Sequence, residues 1–411
     1  MRWFVGCTLA GVLTLGSLNA SSATPGTGVA AGSRYDVRSI ILTASPVALA
    51  VDARRGRAFI VTGGGCAGAF GTAAGGSVSV VDERSGTMAR TVRVGLSPCD
   101  SAVDSRTARV FVSLYAGHGV DVLDAASGMP RRTVDLAYGP RGVAVDEQGN
   151  RVFVVAQGVT DSLGTPLGSG SVGILDAGNG HLLRTVVVGT SPVAVAVDRR
   201  HGRAVVLADS GGSGPGVVSV LDTAAGRVMR TAPAGLSPTS MAIDGQTGRI
   251  FVLGRAVGSQ AAALHLLDTK GDTIVQRTVP LDGFPVAMAL DERSDHVVVG
   301  GAGASPMTAG IFEASSGMRL MSVDVHLYPS ALAIDGQHGR AFMGGSGTGA
   351  GTGLVAVLDT RGGRVLATAP VPGTQLIALA VNDRSGTGYA LSATPDPHGM
   401  RGWLTLLHPV P

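Results

Sequence analysis

Ser191-Pro192-Val193-Ala194-Val195-Ala196-Val197-Asp198 is a short apolar segment that opens on proline and closes on aspartate, and its pattern recurs along the chain. The proline position returns at Pro46, Pro98, Pro140, Pro192, Pro238, Pro285 and Pro329, with an eighth, degenerate copy at Leu376, so the spacing is 42 to 52 residues. A period in that range, with four short strand signals in each unit, predicts an all-β chain built as a single β-propeller.

Four strands can be written for each unit. The first runs from the proline to an acidic residue, as in Pro46 to Asp52 or Pro98 to Asp104, and the last copy ends at Asn382. The second carries Phe59, Phe111, Phe153, Val205, Phe251, Val298, Phe342 or Tyr389. A third runs to Asp82, Asp124, Asp176, Asp222, Asp268, Glu313 or Asp359, and the fourth reads like Arg-Thr-Val-x-Val-Gly. All are short β-branched runs bounded by turn residues.

The eighth unit has 36 residues from Leu376 to Pro411, enough for three strands only. Residues 37–45, Val-Arg-Ser-Ile-Ile-Leu-Thr-Ala-Ser, supply nine more and read as the missing fourth strand. The expectation is eight four-stranded antiparallel blades, with the N-terminal strand completing the last blade and hiding the open edges. Seven blades would follow if the eighth unit only capped the array.

The fourth residue after each proline position is alanine in every unit: Ala50, Ala102, Ala144, Ala196, Ala242, Ala289, Ala333 and Ala380. Strands that converge on an axis have little room on one face, and alternate positions such as Leu49 and Val51 carry the bulk. Asp52, Asp104, Asp146, Asp198, Asp244 and Asp335 each precede an arginine by five residues, and most third-strand acids precede a glycine by four. Aspartate accepts backbone N–H bonds at a turn and glycine supplies positive φ, so both sets read as turn chemistry.

Residues 1–23 have a charged start, an apolar run to Leu18 and a small-residue exit, the pattern of a secretory signal cleaved after Ala23, or alternatively after Ala20. Residues 24–36 read as a flexible linker and 37–411 as the propeller. Cys7 precedes the apolar run, which argues against a lipid anchor, and no later segment offers the ~18 uninterrupted apolar residues of a membrane span. Loss of Arg2 with the signal lowers the formal charge from +3 to +2, and Lys270 is the only lysine. That balance and the scarcity of aromatic residues argue against nucleic acid. Two cysteines remain, Cys66 and Cys99, in a compartment where disulfides persist.

Pro-x-x-x-Ala-Val-Asp, Gly-Arg-x-Phe-Val, Val-x-Val-Leu-Asp-x-x-x-Gly and Arg-Thr-Val-x-Val-Gly together resemble the YVTN-type β-propeller repeat family, over residues 37 to 411. The naming tetrapeptide is degenerate here, as in Phe59-Ile60-Val61-Thr62 and Phe111-Val112-Ser113-Leu114, neither of which has its Asn. The resemblance implies an extracytoplasmic binding or scaffold protein and no particular reaction.

An up-and-down blade puts its first and third turns on one face of the ring. Its middle loop and the crossing to the next blade lie on the other. The second face carries the long Gly-rich loops expected at 62–76, 156–171, 208–216, 254–262, 300–309, 343–353 and 391–401, and binding residues concentrate on such loops. Cys66 and Cys99 fall on it in adjacent units, which predicts a disulfide. Asp100 stands where other units have Ala48, Gly142, Ala194, Ser240, Ala287, Ala331 and Ala378, and Arg141 is the only charge in its row. The two should meet near the mouth of the axial channel, either as an interblade ion pair or as the charged floor of a ligand funnel. His118, Asp161, Asp209 and His398 also fall on or near this face without forming a recognisable set.

Gly63–Gly68 and Gly168–Gly173 satisfy Gly-x-Gly-x-x-Gly, but no helix follows to cap a pyrophosphate. Neither Gly-x-Ser-x-Gly nor His-Glu-x-x-His occurs, and Lys270 precedes Gly, which excludes a P-loop. No metal set and no cofactor site are expected. The function expected is a secreted or periplasmic scaffold, monomeric, that binds a protein or a cell-envelope polymer through its loop face. The alternative is a funnel-site enzyme, lactonase-like hydrolase or dehydrogenase subunit, using Asp100, Arg141 and His118 or His398.

Overall fold

The computed structural model describes residues 35–410 apart from 65, 67–73, 137–138, 159–167, 211–213, 259–260, 270–273, 304, 348–351 and 397–398. The expected signal and nearly all of the linker, together with Asp161 and His398, therefore lie outside the described residues, as do stretches of several expected loops.

Eight four-stranded antiparallel sheets form eight blades. In blades 1 to 7 the strands run from the innermost to the outermost in chain order. Blade 8 takes its outer strand from the other end of the chain: Tyr35–Leu42 pairs antiparallel with Gly399–Pro409, from Tyr35 opposite Pro409 to Leu42 opposite Gly402. This strand begins two residues earlier and ends three earlier than the 37–45 expected. Tyr35 fixes the earlier start: its ring is buried edge-on against Phe342, centroids 5.8 Å apart, and its hydroxyl accepts from Arg340 Nη1 at 2.9 Å.

The alanine row has a direct structural reason. Ala50 lies opposite Phe59 across the ladder, Ala102 opposite Phe111, Ala144 opposite Phe153, Ala242 opposite Phe251, Ala333 opposite Phe342 and Ala380 opposite Tyr389. Opposed residues in an antiparallel pair share a face, so the methyl leaves room for the ring, and the six rings are at most 1% exposed. The face so formed packs on the next blade. Ala48 and Ala50 meet Val103 of blade 2, Ala102 meets Val143 and Val145 of blade 3, and Ala144 meets Val195 and Val197 of blade 4. The pattern recurs where Ala194 and Ala196 meet Met241 and Ile243, Ala242 meets Met288 and Leu290, Ala331 meets Leu379 and Val381, and Ala378 and Ala380 of blade 8 meet Leu49 and Val51 of blade 1. Small against large, repeated at each seam, gives the wedge shape that closes a ring.

The turn residues do more than turn. Asp52 Oδ1 accepts the N–H groups of Arg54 and Arg55 at 3.1 and 3.2 Å, and the same arrangement recurs at Asp104 and Asp146. The arginine that closes the turn crosses to the next blade. Arg57 donates to the carbonyls of Ala125 and Ala126, Arg109 to Gly178, and Arg203 to Gly248. The Asp–Arg spacing thus serves both a turn and a seam.

In blade 8 the loop expected over 391–401 is mostly strand. Thr387–Asp396 and Gly399–Pro409 stay paired out to Asp396 opposite Gly399. No glycine interrupts this second strand between Gly388 and Gly399, whereas Gly63-Gly64 and Gly300-Gly301 end the equivalent strands of blades 1 and 6.

Candidate functional site at the channel mouth

The inner strands leave their free edges toward the axis and enclose a channel of about 1290 Å³. Its loop-face end is bordered by Ser45, Gly64, Cys66, Asp100 and Arg141, and its turn-face end by Gln148, Arg200 and Gln246. The expected disulfide is present, joining Cys66 to Cys99 with Cα atoms 5.0 Å apart. It ties the segment after the second strand of blade 1 to the start of blade 2, beside Asp100.

Asp100 and Arg141 both reach the channel wall, but the expected ion pair between them does not form. Asp100 Oδ2 instead accepts the N–H of Val143 at 3.0 Å, and Oδ1 accepts the N–H of Ser101 at 2.8 Å. The Arg141 guanidinium lies 5.5 Å from the Tyr115 ring centre, over its face, and its Nε is buried without a hydrogen-bond partner. The two residues are linked only through backbone: the Ser113 hydroxyl donates to the Arg141 carbonyl at 2.5 Å and accepts the Asp100 N–H at 3.1 Å.

A local irregularity accounts for this placement. In blades 2 and 3 the register between the two innermost strands shifts from Pro98 to Ser101 and from Pro140 to Val143. The slip is of one residue there and in blades 1, 4, 7 and 8 alike, but blades 2 and 3 leave two inner-strand residues unpaired where the other four leave one. Cys99-Asp100 and Arg141-Gly142 are left out of the ladder, which frees Asp100 where its counterparts Ala48, Ala194, Ala331 and Ala378 stay paired, whereas the Arg141 position is unpaired in those blades as well. Nothing in the residue pattern announces this, because both units keep their proline and alanine landmarks.

Burial pushes the Asp100 carboxyl up to about 6, although the two N–H bonds pull the other way. A carboxyl that titrates near neutrality in the channel wall can accept a hydroxyl or ammonium donor. The Arg141 guanidinium supplies the positive charge of the same wall.

His118 is not part of this set. It is exposed, at φ +50°, in the turn between the second and third strands of blade 2, where its carbonyl accepts the Leu136 N–H at 2.7 Å. Asp209 is half-buried and accepts the N–H of its neighbour Ser210. Among the described residues no group of three or more His, Cys, Asp and Glu side chains could hold a metal ion, and no helix is long and apolar enough to cross a membrane.

One feature of the loop face escapes a reading by repeats. Phe284 is 77% exposed and Tyr328 50% exposed, at the entries to blades 6 and 7, with channel-lining Val286 39% exposed between them. Each sits where the chain crosses from one blade to the next, directly before the repeat proline, where Ser45, Ser97, Ser191 and Ser237 stand in other units.

No family model matches the sequence, and no curated protein matches it. Among solved structures the chain is similar to Kuenenia stuttgartiensis hydrazine synthase, with a TM-score of 0.58 and 16% identity over 89% of this chain and 96% of that one. At that identity the likeness is one of fold.

Proposed function

We propose that the protein is a secreted or periplasmic binding scaffold that engages a protein or cell-envelope polymer through its loop face, a polar group of the partner entering the channel mouth between Asp100 and Arg141. The observation that carries this reading is the pair itself: a half-buried carboxyl raised to about 6 and a guanidinium whose Nε has no hydrogen-bond partner, both in the channel wall and not paired with each other. Exposed Phe284 and Tyr328 on the same face support a macromolecular partner, since aromatic anchors dominate such contacts. The resemblance to YVTN-type repeats and the Cys66–Cys99 disulfide support the extracytoplasmic setting.

The test is capture of envelope fractions on immobilised protein, followed by affinity measurement for the recovered partner with wild type, Asp100→Ala and Arg141→Ala. At least a tenfold loss in each variant is expected. Equal affinities in all three would sink the channel-mouth reading.

A second reading, a funnel-site enzyme, is favoured by one observation only, the Asp100 carboxyl held near neutrality where proton transfer is efficient. Hydrolysis of a lactone panel that survives Asp100→Asn would remove it.

A further inference from the structure

The inner strands line the channel unevenly around the ring. The residue third after the repeat proline position is half-buried and borders the lumen at Leu49, Leu332 and Leu379, in blades 1, 7 and 8, whereas in the other five blades it is buried. Val47 and Ile377, two residues earlier on the strands of blades 1 and 8, are half-buried in the same wall. The three blades are neighbours, because the inner strand of blade 8 packs on those of both blade 7 and blade 1. These apolar side chains therefore make one continuous strip on the lumen, and an apolar chain that covered it would displace the water there favourably.

The facing wall carries charge. Arg141 belongs to blade 3, which stands across the eight-membered ring from blade 7. Its guanidinium lies over the Tyr115 ring, which attracts a cation without neutralising it, and among the described residues no carboxylate or carbonyl oxygen accepts from it. Asp100 in the adjoining inner strand is raised to about 6, so at pH 5 it is mostly neutral and does not oppose an anion at the mouth. Polar Gln148, Arg200 and Gln246 border the far end. The inner strands of blades 1, 2 and 3 have 7 residues each, which sets the length between mouth and far end at about 23 Å.

We propose that the channel takes a single-chain amphiphile, its anionic oxygen head at Arg141 and its unbranched apolar chain along the strip of blades 7, 8 and 1. This rests on the channel-mouth reading and names the group that enters there. The probes are hexane-, octane- and decanesulfonate below their micelle concentrations, which stay ionised at pH 5, titrated calorimetrically against the full protein.

Binding of one equivalent is expected, tightening about twofold to fourfold with each added methylene, the upper limit being full burial. Arg141→Ala should weaken all three probes at least tenfold and keep that increment. Leu379→Asn should flatten the increment, and Arg227→Gln, on an exposed outer turn, should change neither. Should either channel variant fail to fold, the wild type decides: the increment must be present, and decyltrimethylammonium must bind at least tenfold more weakly than decanesulfonate. Equal affinity for the three chain lengths overturns the proposal and leaves the channel-mouth reading standing, and a full increment with no loss in Arg141→Ala overturns both. Binding of no probe, or of several equivalents per protein, overturns the proposal alone.

Discussion

The Tyr389 hydroxyl donates to Glu83 Oε2 at 2.6 Å across the seam between the last blade and the first. Glu83 sits in the outer turn of blade 1, yet its carboxylate is occupied by blade 8, with Thr387 Oγ1 donating to Oε1 at 2.9 Å and Asn382 Nδ2 to Oε2 at 2.5 Å. Every other seam joins blades consecutive in the chain, and this one joins its two ends. Asn382 replaces the aspartate of other units here, which supplies an amide donor to a neighbouring carboxylate where an eighth carboxylate would repel it.

Glu83→Gln should therefore destabilise the fold by about 2–3 kcal/mol, because an amide cannot accept from all its partners and leaves buried donors unsatisfied. The pH dependence has a definite sign. Burial raises the Glu83 carboxyl, but hydrogen bonds from Ser385, Tyr389, Asn382 and Thr387 outweigh it and hold the group below its ordinary value. A lowered folded-state value means stability present above the ordinary glutamate range and lost as pH falls below it. Chemical denaturation between pH 3 and 7 should show that loss in wild type and a shallower one in Glu83→Gln; parallel profiles would refute the assignment.

Asp100 has the opposite sign. Its carboxyl is raised to about 6, so folding is penalised by ionisation as pH climbs from about 4 through 6, and the full penalty is on the order of 3 kcal/mol. Asp100→Ala restores the residue type found at this position in several other blades and should raise the stability of the unliganded protein at pH 8, with the gain fading by pH 4. A variant less stable than wild type at pH 8 would show that the N–H bonds outweigh the burial cost.

Removing the disulfide with Cys66→Ser/Cys99→Ser should cost about 3–4 kcal/mol on the loop-entropy estimate for a separation of 33 residues. The melting temperature should fall by several degrees, with wild type matching the variant after reduction. An unchanged transition would mean that the bridge restrains nothing the rest of the fold leaves free.

Ala144→Leu tests the seam packing. Ala144 is 7% exposed, lies opposite Phe153 and faces Val195 and Val197 of the next blade, so added bulk should cost about 1–3 kcal/mol. Ala224→Leu, on an exposed outer turn, should change stability by less than about 0.5 kcal/mol. Equal effects at the two positions would contradict the small-against-large account of the ring.

The architecture was legible because a ring of blades writes each seam into the sequence eight times over. Ala102 and Phe111, or Asp104 and Arg109, are readable because the same contact is demanded at the same spacing in neighbouring units. Single events leave no such record. The longer unpaired stretch that frees Asp100 falls in blades whose landmarks are unchanged, so the arrival of Asp100 and Arg141 at the channel was foreseeable while their failure to pair was not. Leu49, Leu332 and Leu379 looked like ordinary inner-strand residues spread over the chain, and only the circular arrangement brings blades 7, 8 and 1 together along the channel. Phe284 and Tyr328 stand where four other units have the serine before the proline, and a substitution there is visible in the sequence but its exposure is not.

Pairing of Tyr35 with Pro409 sets a timetable for biogenesis. The strand Tyr35–Leu42 is made before every other described strand and must wait for all of them before its partner Gly399–Pro409 exists. Until then the nascent protein holds an unclosed arc with bare strand edges at both ends, and closure depends on a contact of nearly maximal sequence separation, the slowest kind to form. A lost C-terminus would leave two exposed edges on each truncated chain, so premature termination should yield aggregates in preference to a shorter working ring.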